Sequence, residues 1–206
     1  MVFLLQDPDG YVRGMSASDL CARGAQSHAA YLKKISDASD DFTILEKQRL
    51  SEAVRFVQTF YEPNESYGLD SQKFRDLPWN FAKTRGKTLD NGLPHTRKTI
   101  VFLTDAAIGR SDLEDLLFHE RMHVYQRMYP GDIQRALGRM GIVRKCPSSS
   151  APNYRRNPDE DGYVYLNTRT KKVMGTFYAS QSPRDLVDVL RTTPHPYELM
   201  AEGTLS

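Results

Sequence analysis

The segment His119-Glu120-Arg121-Met122-His123 restricts the fold of this chain more than any other. Its two histidines stand four apart, so on a helix their side chains share one face about 6 Å apart. Glu120 is turned away from His119 by about 100° of helix. Two imidazoles so placed can converge on one metal ion, while Glu120 reaches a water on the open side instead of ligating. The pattern therefore demands a helix at this point and a further ligand from elsewhere in the chain. That ligand makes at least one long-range contact obligatory.

This is the HExxH arrangement. Zinc with three protein ligands keeps a fourth position open, lowers the pKa of water and polarises a carbonyl. Glu120 is the expected general base, taking the water proton and passing it to the leaving amine. Glu198 is the expected third ligand, and Glu202 lies one turn later on the same predicted final helix. One of these carboxylates can ligate while the other accepts the second ring N–H of a zinc histidine. His195, Asp159 and Asp161 are the alternative ligands.

The surrounding sequence predicts elements that can carry such a site. Ser111 and Glu114 form a potential capping box ahead of a helix that runs through Leu113, Leu117, Val124 and Met128 and stops near Pro130. A second capping box, Thr43 with Glu46, opens a helix with Leu50, Val54, Val57 and Tyr61 on one stripe. Further helices are expected at 16–36, 132–140 (closed by Gly141), 182–190 and 195–202. Residues 1–15 read as a short strand or tail with a turn at Asp7–Gly10. Residues 62–97 lack sustained periodicity and are expected to rim a cleft, with Trp79 and Phe81 pinning them and short helical turns inside. Strands are expected at 98–104, 163–166 and 173–178, the last two as a hairpin.

Composition removes several classes. Lys plus Arg number 28 against 26 Asp plus Glu, a net charge of +2, which does not suggest a nucleic-acid binder. Apolar residues make up 39% and charged residues 26%, which speaks against wholesale disorder. No stretch approaches the ~20 apolar residues of a membrane span, and the apolar start is too short for a secretory signal. An intracellular, cytoplasmic setting is the default expectation. Cys21 and Cys146 are far apart and nothing requires them to pair. The loop 153–162 is the most polar segment; Arg155 and Arg156 in it can grip a substrate carboxylate or merely solvate a turn, and Asp159, Asp161 and Gly162 faintly suggest a calcium loop. His95 precedes the strand at 98–104 and can face the cleft, or sit in a surface loop. His28 reads as a hydrogen-bonded core residue.

The segment around 113–128 resembles the active-site helix of zincin metallopeptidases. Glu198-Leu199-Met200-Ala201-Glu202 resembles the Glu-x-x-x-Asp third-ligand helix of the gluzincin branch, with Glu202 in place of the usual Asp. The metzincin continuation is absent, and the segment between the two helices is longer than in thermolysin-like enzymes. The resemblance implies one zinc ion held by His119, His123 and Glu198, Glu120 as catalytic base, and Glu202 orienting His119. It also implies a donor for the developing oxyanion; Tyr197 and His195, which flank Glu198, are preferred, with Tyr163 and Tyr165 as further candidates. The strand at 98–104 would line the cleft and pair with extended substrate, or be an ordinary central strand.

The expectation is thus an α+β, zincin-like chain, mainly helical, with a small antiparallel or mixed sheet beside the active-site helix. It forms a single metallopeptidase-like domain over 1–206, or two lobes divided near residue 145. The expected activity is zinc-dependent hydrolysis of a peptide or protein substrate, with no nucleic-acid partner. The alternative is an inactive zincin-like protein that binds zinc as an interaction or structural module. Glu120 argues against that alternative, since an inactive scaffold need not keep the base.

Overall fold

Thr43 and Glu46 cap each other as their spacing predicts. The Thr43 hydroxyl accepts from the Glu46 N–H at 3.2 Å, and the Glu46 carboxylate accepts from the Thr43 N–H at 2.7 Å. The helix they open, Ile44–Phe60, buries Leu50, Ala53 and Val57 against the helix Leu113–Met128. The computed structural model describes residues 2–205. In chain order its helices are α1 (Val2–Gln6), α2 (Ala17–Ala22), α3 (His28–Ile35), α4 (Ile44–Phe60), α5 (Ser71–Arg75), α6 (Asp105–Ile108), α7 (Leu113–Met128), α8 (Pro130–Arg139) and α9 (Pro196–Ala201). Its strands are β1 (Ser39–Asp40), β2 (Asn80–Thr84), β3 (His95–Arg97), β4 (Ile100–Leu103), β5 (Ile142–Pro147), β6 (Tyr163–Asn167) and β7 (Val173–Met174). The class is α+β. No helix among the described residues is long and apolar enough to cross a membrane.

The first sheet has the order β1-β2-β4-β3 and is mixed: β2 and β4 run parallel, the outer pairs antiparallel. Alternation along β4 buries both faces. Phe102 faces an apolar cluster with Leu4, Val12, Tyr31 and Ile35, while Val101 and Leu103 join the larger cluster of α4, α7 and α8. The second sheet, β5-β6-β7, is antiparallel. It adds Tyr165 and Met174 to that larger cluster. The lobe boundary expected near residue 145 falls inside β5.

Several local expectations need correcting. Residues 2–6 form a helix where a strand or tail was expected, and the turn follows at Asp7, whose carboxylate accepts from the Val12 and Arg13 N–H groups. The helix expected over 16–36 is two helices. Gly24 takes φ +65, a conformation that ends α2, and Ser27 caps α3 anew. The Ser111–Glu114 box does not form: α7 begins after Asp112, without a side-chain cap bond. No helix forms over 182–190. There Asp185 and Asp188 accept from the Val187 and Arg184 N–H groups, closing local turns that compete with helical bonding. The strand expected over 173–178 is regular only at Val173–Met174.

The strand at 98–104 resolves into a hairpin. Lys98 takes φ +53 in a two-residue turn between β3 and β4. β4 is central, with β2 and β3 on its two edges, so it has no free edge for an extended substrate. The outer edge of β3 is also filled at Thr96, whose N–H donates to Asp159 at 2.7 Å and whose carbonyl accepts from Arg127 at 3.1 Å. Recognition by strand pairing is therefore unavailable at Thr96.

Candidate metal centre

α7 is the buried axis of the molecule, packed against α4, α5, α8, α9 and β3. Glu114 and Asp115 in its first turn suit the positive end of the helix dipole. His119 and His123 share the face turned toward α9. Their Nε2 atoms lie 3.0 Å apart. The Glu198 Oε2 lies 3.5 Å from His119 Nε2 and 3.7 Å from His123 Nε2. One donor atom from each of these three residues falls within 4.8 Å of the others, although Glu198 comes from a helix far away in sequence.

The polar neighbours orient this donor set. The Gln126 amide nitrogen donates to the Tyr197 carbonyl at 2.9 Å. A carbonyl can only accept, so the amide oxygen of Gln126 must face His123 Nδ1, at 2.8 Å. That nitrogen therefore carries its proton, and the Nε2 lone pair is left for a metal. Asn157 donates to Glu198 Oε1 at 2.6 Å, which leaves Oε2 toward the histidines.

Electrostatics favour a cation here. Burial opposes charge on His123, but the carboxylates of Asp159 and Glu198 outweigh it and raise the imidazole to about 10. Burial likewise opposes charge on Glu198, yet His123 and His119 hold its carboxyl well below the usual range. Among the described residues, no lysine or arginine pairs with Glu120, Asp159, Glu160 or Glu198. A buried group of acids without such a counter-charge suits a divalent ion, and the two nitrogens and one carboxylate oxygen fit zinc as a donor set.

Glu120 is buried, and Thr96 donates its hydroxyl to Glu120 Oε2 at 2.8 Å. Burial and then the Asp159 charge push this carboxyl up to about 8. His119, Glu120 and Glu198 line one cavity, together with His95, Arg155 and Asp159.

Other expected site residues lie elsewhere. His195 does not join the donor group. Its Nδ1 accepts from the Tyr197 N–H at 3.2 Å and its Nε2–H donates to the Tyr163 carbonyl at 3.1 Å. With both ring nitrogens committed, it is the N-cap of α9 and has no free nitrogen turned to the donor group. The Tyr197 hydroxyl is turned to Asp161 at 3.3 Å and Gln134 at 3.5 Å. Tyr163 and Tyr165 likewise stand outside the cavity. Glu202 is exposed and touches Thr204, with no hydrogen bond to His119. Asp161 is engaged by Arg144 and Tyr165, and Asp159 faces Thr96, so the two do not form a calcium loop.

His95 does line the cavity. Its Nδ1–H donates to the Leu93 carbonyl at 3.0 Å, while its buried Nε2 makes no hydrogen bond and lies 3.9 Å from the Asp90 carboxylate. His28, half-buried, bonds the Met15 carbonyl at 2.9 Å. The orienting residues Gln126, Asn157 and Thr96 carry no motif in the sequence. Only Gln126, three residues after His123 on the same helix, left a spacing signal. Compared with models of known families, with curated proteins and with solved structures, the chain matches none.

Proposed function

We propose that this chain is a zinc-dependent metallopeptidase of gluzincin type. His119, His123 and Glu198 hold one zinc ion, and Glu120 is the general base. The observation that carries this reading is the convergence of the three donor atoms within 4.8 Å from two distant helices, with Glu120 opening on the same cavity. When bound, zinc supplies a Lewis acid that polarises the scissile carbonyl and acidifies water.

The chain's own groups do the rest. In its ionised form Glu120 is held at Oε2 by Thr96, and Oε1, which has no protein hydrogen bond among the described residues, accepts the proton of the attacking water. Glu120 then delivers that proton to the leaving amine. Gln126 and Asn157 fix the faces of His123 and Glu198. His195 fixes the start of α9.

The test is a peptide-library cleavage assay read by mass spectrometry, with zinc content measured on the same samples. Glu120→Gln should keep about one zinc per chain and lose turnover. His119→Ala should lose both. Equal cleavage by wild type and Glu120→Gln, or a wild type that takes up no zinc, would overturn the reading.

A further inference from the structure

The cavity that opens on His119 and Glu120 is also lined by Arg155 and Arg156. Neither guanidinium has a carboxylate partner among the described residues, although the Arg156 backbone N–H donates to Asp19 at 2.8 Å. Arg155 donates one terminal nitrogen to the Leu186 carbonyl at 3.1 Å, and its Nε is buried without any partner. Arg156 donates to the carbonyls of Tyr11 and Gly10, at 2.9 and 3.3 Å.

Among the described residues, none of the acids lining the same cavity is paired with either guanidinium. Asp90 accepts from Arg23 at 2.6 Å and from Tyr31 at 3.1 Å. Asp159 accepts from the Thr96 N–H, Glu120 from the Thr96 hydroxyl, and Glu198 from Asn157. Arg155 and Arg156 are thus the guanidinium groups of this cavity that no carboxylate holds, since Arg23 is paired with Asp90. A guanidinium with unused donors beside a cleft is suited to a planar, two-oxygen anion.

We infer that this part of the cavity is a carboxylate subsite, with Arg155 as its principal contact and Arg156 beside it. The substrate then presents a carboxylate close to the bond that meets Glu120. The inference rests on the proposed peptidase reading for the identity of that bond. A carboxylate there comes from a peptide C-terminus or from an Asp or Glu side chain; the chemistry of recognition is the same.

The test uses three fluorescein-labelled peptides of one apolar sequence: a free C-terminal acid, its C-terminal amide, and an amide carrying one internal Glu. Binding to full-length Glu120→Gln protein is followed by anisotropy, with zinc and after chelation. The acid or the Glu peptide should bind on the order of 10-fold more tightly than the plain amide. Preference for the acid assigns the main-chain terminus; preference for the Glu peptide assigns the side chain. Adding Arg155→Gln should erase the preference of the carboxylate peptides over the amide, and Arg155→Lys should restore part of it.

Equal binding of all three peptides to the folded Glu120→Gln protein overturns the subsite, whatever the fate of the Arg155 variants. A retained preference in protein that takes up no zinc overturns the peptidase reading and leaves the subsite standing.

Discussion

The Gln126 carboxamide oxygen sits 2.8 Å from Nδ1 of His123, and this contact decides which imidazole nitrogen is available for a metal. Because the amide nitrogen is committed to the Tyr197 carbonyl at 2.9 Å, the amide cannot flip without losing both bonds. Gln126 therefore ties the second histidine of α7 to the start of the helix that brings Glu198. Outer contacts of this kind are worth 10–100-fold in metal affinity as a rough rule. Gln126→Ala should weaken zinc binding by about that factor, measured by competition with a chromogenic chelator. Glu202→Ala should leave the affinity unchanged, because Glu202 is exposed and does not reach His119.

Zinc should stabilise the fold through α7 and α9 together. At a free zinc concentration about 100 times the Kd, the gain is about 2.7 kcal/mol, visible as a higher melting temperature that chelation reverses. Glu198→Ala should abolish most of this shift. A zinc-induced shift of equal size in the variant would move the third ligand to another residue.

His195 should make stability fall at acid pH. Burial lowers its imidazole to about 4 from the usual 6.5. The neutral ring accepts from the Tyr197 N–H, and a proton on that nitrogen would break the cap. The unfolded chain takes up the proton near 6.5 and the folded chain only near 4. This contribution is fully present above 6.5 and is lost as pH falls toward 4, a change on the order of 3 kcal/mol. Urea unfolding of metal-free protein should show the advantage of wild type over His195→Asn shrinking between pH 7 and pH 4.5. A constant gap would count against the cap.

Glu160 should act in the opposite direction. Burial, and then the charge of Glu198, raise its carboxyl to about 8. Tyr154 donates to one oxygen, while the other is buried without a partner. The folded chain keeps this proton to about pH 8, whereas the unfolded chain releases it near 4.5. Stability from this group is complete below 4.5 and is lost as pH rises toward 8. Glu160→Gln has nearly the same shape and no charge. In metal-free protein it should gain on wild type between pH 5 and pH 8.5, by on the order of 3 kcal/mol, as read by urea unfolding at each pH.

Spacing within one element was legible in the chain itself. The three-to-four pattern around His119 predicts α7, and the Thr43–Glu46 pair predicts the start of α4, because both depend on contacts within a turn or two of helix. Where the local signal had competitors, it failed. Gly24 interrupts the helix expected at 16–36, and the aspartates at 185 and 188 draw backbone N–H groups into turns. The hairpin of β3 and β4 was also missed, since three-residue β3 is defined by pairing with β4 and by its burial against α7, not by its own periodicity.

The site divides in the same way. The motif determined that His119 and His123 share a face and that Glu120 stands beside them, since helix geometry alone sets those directions. Which nitrogen of His123 is free, why Glu198 and not Asp161 or His195 reaches the pair, and why Tyr197 turns away were decided by tertiary packing. Each of those polar groups has several possible partners within reach of the flexible chain. Burial makes every unpaired donor or acceptor costly, so only the assembled neighbours, Gln126, Asn157, Thr96 and Tyr163, determine which partner each one takes.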